Sequence, residues 1–423
     1  MSLDMVQTRE QAVEFLEGYS FERKEELDRR KTTAGLVKSY LLETVPQAPV
    51  HLDLSSVFES AGARLDHIDG DMSKVWDAQS GRCIGLLEEL LPRHPVFYSN
   101  EDVRVIDRWV RDLVNATPFL DRLWLSGWTF DRLWEKVVQI NPGRRYGRLA
   151  FEHQNVFEVD SEAPEEEGDE ELELGDAPDE VLVERTELVR ERRASRFTVV
   201  ERIEVLKERL PRLQEIYHPL YSISQLRFPA VGRGGHDFYY NGKVTNRSDS
   251  FADHRAHLLY VLKIYKQATE ATERAAWYAR ERIQELPATD FTTLRGAPVV
   301  MRFSEPLTPQ VFEQWISSTF RHKRNRFRLW GTPIPLGSKK VHVYGADRHL
   351  WQRIFLEITT RHLIAVLPEG TCGNTIHRLV TNVQHFVDPA VEVWVGDQRY
   401  QDFIRTAAEQ QEEGPHDSGR GRG

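Results

Sequence analysis

The chain has 423 residues, 40% hydrophobic and 29% charged, a composition that supports a packed core and excludes a wholly disordered protein. At roughly 150 residues per domain, this length predicts two or three domains. The formal net charge is −10, no apolar run approaches the roughly 20 residues of a membrane helix, and two cysteines are too few for a disulfide framework; no membrane partner and a cytoplasmic location are expected.

Residues 1–157 are expected to form a helical domain. Thr8 is placed to cap a helix carrying Ala12, Val13, Phe15 and Leu16. A second helix is expected from Thr33 to Thr44, ending before Pro46. Between Asn100 and Asn115, Val103, Ile106, Val110, Leu113 and Val114 share one face of a third helix, with Asn100 as its cap. Asp-Arg-Leu-Trp occurs at Asp121–Trp124 and again at Asp131–Trp134, with Gly127 as a stop signal and Thr129 as a start signal between them. Trp109, Trp124, Trp128 and Trp134 are expected in core or domain contacts.

The negative charge is concentrated. Glu158–Glu187 holds 15 Asp and Glu against one Arg, or −14, which leaves the rest of the chain at +4. With few apolar side chains to bury, 158–187 is expected to be a disordered acidic linker. Residues 188–287 read as a helical segment with a Gly-rich β-hairpin. Val189–Tyr217 is helical in pattern and divided by Pro211. Asn241-Gly242 marks a tight turn between Phe238-Tyr239-Tyr240 and Lys243-Val244-Thr245. A long helix from Ser250 to Leu286 should stop at Pro287.

Residues 288–405 change rhythm and are expected to form an α/β domain. The pattern predicts a strand at Pro298–Phe303, a helix capped by Thr308, a hairpin around Pro335–Ser338, a helix at His349–Thr360, a strand at Leu363–Leu367, a helix at Asn374–Phe386 and a strand at Val391–Val395. That order fits a ferredoxin-like, split βαβ sheet. The polar, Gly-rich tail 406–423 is expected to be disordered. The fold class is therefore α+β, with mainly helical N-terminal and middle parts.

Three groups of residues carry candidate chemistry. The first is basic and aromatic. Asp290–Arg361 holds 12 Lys and Arg against 5 Asp and Glu. Within it lie Arg321, Lys323, Arg324, Arg326, Phe327, Arg328 and Trp330, then Lys339, Lys340, His342 and Tyr344 on a strand. Cations displace counterions from phosphates and exposed rings stack on bases, so nucleic acid is the partner this group predicts. A strand presenting His342 and Tyr344 resembles the aromatic-bearing sheet of RNA-recognition motifs, although Lys340-Val-His-Val-Tyr lacks the Gly-aromatic pattern of their central strand.

The second group is Cys372 and Arg378, where a strand leads through a small-residue loop into a helix. A helix start favours anions and lowers a thiol pKa. The Cys-x5-Arg spacing resembles the phosphate loop of cysteine-dependent phosphatases, which would make Cys372 the nucleophile and Arg378 the oxygen clamp. Thr371 stands where those loops carry His, and Leu379 where Ser or Thr is common. The third group is His236, Asp237, His254 and His257; the last two share a helix face and, with His236 or Asp237 folded back, would hold a divalent metal. Three functions stay open: a nucleic-acid-binding or regulatory protein, an enzyme working at Cys372, or a protein-interaction component of a complex. The sequence leaves any cofactor unknown.

Overall fold

The computed structural model describes residues 3–45, 53–140, 145–154, 183–189, 192–282, 292–321 and 325–413. The fold is mixed α+β, built on two large antiparallel sheets and a two-stranded ribbon. The larger sheet contains β1 (Lys38–Glu43), β2 (Ala63–Asp69), β3 (Met72–Asp77), β4 (Cys83–Leu91), β5 (His94–Ser99), the short β6 (Asp121–Arg122), β7 (Tyr146–Gln154), β8 (Val183–Val189), β9 (Arg192–Arg202), β10 (Ile223–Pro229), β11 (Gly235–Tyr239) and β12 (Lys243–Asn246). Its strand order is β2-β3-β4-β5-β1-β12-β11-β10-β7-β9-β8, with β6 beside β1. Interleaved in sequence are α1 (Arg9–Arg30), α2 (Leu54–Ser60), α3 (Val103–Ala116), α4 (Gly127–Ile140), α5 (Ile203–Ile216) and α6 (Phe251–Ala276).

The ribbon, β13 (Ala279–Arg282) and β14 (Thr292–Arg295), leads into the C-terminal part. There follow β15 (Val299–Arg302), α7 (Pro309–Arg321), β16 (Leu329–Pro335), β17 (Lys340–Asp347), β18 (Arg353–Thr359), β19 (His362–Val366), α8 (Asn374–Phe386), β20 (Glu392–Val395), β21 (Gln398–Arg399) and α9 (Tyr400–Glu413). The second sheet runs β16-β17-β18-β19-β15-β20-β21.

Local signals act where the sequence places them. Thr8 Oγ1 accepts from Gln11 N at 3.3 Å and starts α1. Thr308 Oγ1 does the same for Val311 N before α7. Gly242 has φ 79° in the Asn241-Gly242 turn between β11 and β12, a left-handed conformation that glycine adopts without strain. The third helix forms as expected but is capped by Asp102, whose Oδ1 accepts from Arg104 N at 2.9 Å.

Several expectations are corrected. Residues 1–157 are not mainly helical: Thr33–Thr44 supplies the central strand β1, and residues 63–99 form the meander β2–β5. β1 is buried throughout, because Tyr40 and Leu42 enter a cluster with Phe97, Ile106 and Val110 while Leu41 enters the main core on the other face. A strand covered on both faces shows no alternation. Val189–Tyr217 is half strand, β9, before α5 begins, and Pro211 sits inside α5 without dividing it. The helix expected to reach Leu286 ends at Ala276.

His349–Thr360 is not a helix but contains β18, whose Ile354, Leu356 and Ile358 point inward at period two and whose backbone pairs with β17 and β19. The split βαβ sheet does not form: the expected second helix is strand β18, so β16, β17, β18 and β19 pair in sequence as an antiparallel meander, with no helix crossing over between them. The expected disordered tail begins as helix, because Ala407 and Ala408 of α9 are buried in the core. Most of the acidic linker, and the end of the tail, lie outside the described residues; its last part, Val183–Glu187, pairs with β9.

One apolar cluster runs from Leu3 to Ala408 and joins both sheets. Strands from the expected first and middle domains share the larger sheet, β7 pairing with β9 and β10. Helix α8 is buried along its whole length. Among the described residues, no helix is long and apolar enough to cross a membrane.

Candidate functional site

The Cys-x5-Arg segment sits at the start of α8, and its polar groups face other polar groups. Arg378 is fully buried. Its Nη2 donates to both Asp347 oxygens at 2.5 Å, its Nη1 donates to Asp121, and its Nε donates to Phe327 O at 2.9 Å. Burial works against this charge, yet Asp347 and Asp121 raise its pKa further. Cys372 is buried, with Sγ 3.3 Å from Arg93 Nη2 and 3.4 Å from Glu43 Oε1. Burial, and then Glu43, pushes its thiol well up. An un-ionised thiol and an arginine already saturated by two carboxylates do not make an anion loop, so the nucleophile-and-clamp expectation is corrected.

Around α8 the same chemistry continues. Glu43 on β1 accepts from Arg93 and lies 2.7 Å from His94 Nε2; despite burial, these partners hold its carboxyl at about 2. Glu273 on α6 accepts from Arg93 Nη2 at 2.6 Å and from Gly373 N at 2.7 Å. His377 Nε2 lies 2.9 Å from Thr269 Oγ1, and its Nδ1 meets Tyr400 Oη. Hydrogen bonds and ion pairs within the fold hold most of these groups, while His94 Nδ1 has no hydrogen-bond partner among the described residues; the cluster is a largely self-paired polar core.

Of the expected histidine group, His236 and His257 come together with Asp253, while Asp237 and His254 are not among the three converging residues. His236 of β11 is buried; its Nε2 lies 3.2 Å from Asp253 Oδ2 and its Nδ1 lies 3.2 Å from His254 Nδ1. His257 Nδ1 is 3.0 Å from the carbonyl oxygen of Asp253, one turn back on α6. His236, Asp253 and His257 bring one donor atom each within 4.8 Å of the others. Asp237 is not in the group: neighbours on a strand point to opposite faces, and it accepts from Arg227 and Arg247 instead. The ligand missed, Asp253, is legible as the first residue of an Asp-x3-His pair on one helix face.

The basic and aromatic group is divided by the fold. Phe327 and Arg328 are buried; Arg328 Nη1 donates to Asp121 Oδ1 at 3.0 Å and to Leu120 O at 2.9 Å, and its Nη2 to Val114 O at 3.0 Å. These two are corrected from interface to core. Arg326 covers the Phe386 ring at 4.6 Å. Lys323 and Arg324 lie outside the described residues, as does the side chain of Arg321 at the end of α7.

The strand residues fare differently. Val341 and Val343 point into the core, so His342 and Tyr344 stand on the opposite face of the second sheet. Register places Tyr344 opposite Thr332 and Phe355, and Trp330 opposite Ala346. Tyr344 is 66% and Trp330 58% exposed. The Tyr344 and Phe355 rings are 5.0 Å apart, and His342 and Phe355 5.2 Å. One cross-strand row reads Ile334, His342, Glu357, Ile364, Val300, Trp394 and Arg399. At about 4.8 Å per strand it spans roughly 29 Å. Arg399 lies over the Trp394 ring at 5.0 Å.

Charge on this face is mixed but leans positive. Arg302, Lys340, Arg353 and Arg399 share it with Glu357 and Glu392, and Lys339 and Arg361 stand exposed in adjoining turns. Lys340 Nζ is 2.7 Å from Glu357, and His342 Nε2 is 3.0 Å from it; these hydrogen bonds, Lys340 first, bring the Glu357 carboxyl to about 2. Phe355 and Trp394 complete the surface, and sequence reasoning did not single out either. The edge strand β16 carries Pro333 and Pro335, which blunt it against pairing with another strand, so the face and not the edge is available.

The chain belongs to the MJECL33-like protein family, which matches residues 1–402. It is also similar to a protein of Methanocaldococcus jannaschii named "Uncharacterized protein MJECL33", with 25% identity over 152 residues, or 36% of this chain and 34% of that protein. The match thus spans about a third of that relative's length.

Proposed function

We propose that this member of the MJECL33-like protein family binds single-stranded nucleic acid across the open face of its C-terminal sheet. The observation that carries the reading is the pair of exposed rings Trp330 and Tyr344, continued by the half-buried Phe355 and edged by Lys339, Lys340 and Arg353. Stacking on aromatic rings is worth about 1–3 kcal/mol per base and tolerates any sequence. The cations supply phosphate contacts, each adding about 0.7 to the salt slope for a single strand. A duplex offers no free base faces to these rings, so single strands are the preferred ligand.

Fluorescence anisotropy with labelled 20-nucleotide RNA and DNA tests this. Binding is expected at 50 mM salt, weakening steeply by 200 mM. Trp330→Ala with Tyr344→Ala should weaken it at least tenfold. Absence of binding by the wild-type chain at 50 mM salt would refute the reading.

Ile334 and Leu336, 45% and 52% exposed beside the rings, favour a second reading, a protein partner seated on the same face. Aromatic residues and Arg are also enriched at protein interfaces. A protein partner would be lost on the same double substitution but would not show the steep salt dependence of phosphate binding.

A further inference from the structure

We propose that His236, Asp253 and His257 hold one divalent transition-metal ion of the zinc class, with His254 orienting His236 from behind. The donor set is suited to such an ion: two imidazoles and a carboxylate are the ligands of three-coordinate protein sites that keep a fourth position for water. The spacing is suited as well. His236 Nε2 and Asp253 Oδ2 are 3.2 Å apart, near the roughly 3.3 Å edge of a tetrahedron whose corners lie about 2.0 Å from zinc. His236 is enclosed, while the side chains of Asp253 and His257 are 14% and 15% exposed, so the open position faces solvent.

The hydrogen bonds behind the ligands set their lone pairs. His257 Nδ1 has the carbonyl oxygen of Asp253 at 3.0 Å, which calls for a proton on Nδ1 and leaves Nε2 free to coordinate. His254 Nε2 lies 2.7 Å from Ser39 Oγ and its Nδ1 faces His236 Nδ1 at 3.2 Å. With His254 donating to Ser39, its Nδ1 accepts from His236 Nδ1–H, and His236 Nε2 presents a lone pair toward the Asp253 carboxylate. Two such acceptors 3.2 Å apart require a cation between them. This is the outer-shell pattern that fixes the tautomer of a metal-bound histidine.

Two further contacts prepare the site. Val231 N donates to Asp253 Oδ2 at 2.9 Å, holding the carboxylate in place. Glu17 accepts from Phe251 N at 2.7 Å and from Ala252 N at 2.8 Å. A carboxylate at the N-terminus of α6 offsets the positive end of the helix dipole, which would otherwise oppose a cation in the first turn.

The hydrogen bonds can also run the other way, from Ser39 through His254 and His236 to Asp253, with protons in place of a metal. The experiment separates the two. The full chain, stripped with a chelator and dialysed, is titrated with cobalt(II) and followed by its visible absorption, then with zinc to displace the cobalt. One equivalent is expected, with tetrahedral-type bands. His257→Gln and Asp253→Asn, both at partly exposed positions and each checked for native circular dichroism, should each weaken uptake at least tenfold. His254→Gln should weaken it by about 10–100-fold, as for other outer-shell partners. Less than a tenth of an equivalent bound by the wild-type chain overturns the proposal, as does unchanged affinity in both natively folded ligand variants.

Discussion

Arg328 and Trp330 stand two residues apart, and the fold sends them to opposite destinations. Arg328 is 5% exposed and tied to Asp121; Trp330 is 58% exposed at the end of an aromatic run. The wider regions differ in the same way. Around α8, arginines and carboxylates are buried and paired with one another, as Arg378 is with Asp121 and Asp347, so their energy is spent on one arrangement of the chain. On the outer face of the second sheet, similar residue types are held in place by β-pairing of their backbone, and Lys340, His342 and Glu357 pair at the surface beside the exposed Tyr344 and Trp330 rings. The same composition makes a core in one place and a surface in the other, because burial depends on what covers a residue and not on its type.

The largest expected effect breaks the buried side of that comparison. Asp121→Ala removes the carboxylate shared by Arg328 and Arg378, leaving two buried guanidinium groups short of a partner. Loss of about 3–5 kcal/mol is expected in urea unfolding, as for other broken buried pairs. A loss below about 1 kcal/mol would mean that these arginines are solvated in solution.

A second test uses pH. Burial pushes His377 down to about 3 and His385 down to about 4, while the unfolded histidines titrate near 6.5. Between those values the unfolded state binds protons that the folded state refuses, so this stability is complete above about 6.5 and is lost as pH falls toward 4. Denaturant midpoints should fall from pH 7 to pH 5, and His385→Gln should reduce proton uptake on unfolding by about one. A flat profile from the wild-type chain would contradict the burial of both rings.

A third test reaches the open face through its backbone. Gly345 lies opposite Gly331, and a Cβ at Gly345 would stand 2.2 Å from Trp330 O. Gly345→Ala should displace edge strand β16, cost about 1–3 kcal/mol as overpacking does, and weaken nucleic-acid binding with every ring still present. Binding equal to wild type would show that the spacing between Trp330 and Tyr344 is unimportant.

The smallest expected effect sharpens the contrast. Trp330→Ala and Tyr344→Ala should each change unfolding free energy by less than about 0.5 kcal/mol, as exposed substitutions usually do. A drop above about 2 kcal/mol in either would assign these rings to packing.

Of the candidate interface, the part carried by strand alternation was legible. Lys340-Val-His-Val-Tyr puts His342 and Tyr344 on one face whichever strands flank it. Phe355 was hidden because His349–Thr360 also fits a helical pattern, and only pairing with β17 and β19 selects the strand. The metal candidate was legible in its histidines. Choosing Asp253 over Asp237 required knowing that α6 lies on the inner side of β11.

Read alone, the sequence determined what acts over a few residues: the Thr8 and Thr308 caps, the Asn241-Gly242 turn, the amphipathic face of α3 and the extent of α8. Caps and turns depend on a side chain or a φ angle within the same turn of chain. Tertiary structure alone decided that β1 is a strand, that Arg328 and Arg378 share Asp121, and that Tyr344 is exposed. Asp121 is 207 residues from Arg328 and 257 from Arg378, and β1 pairs with β12 across nearly half the chain. Strand pairing and charge burial are set by such distant partners, and local spacing carries no record of them.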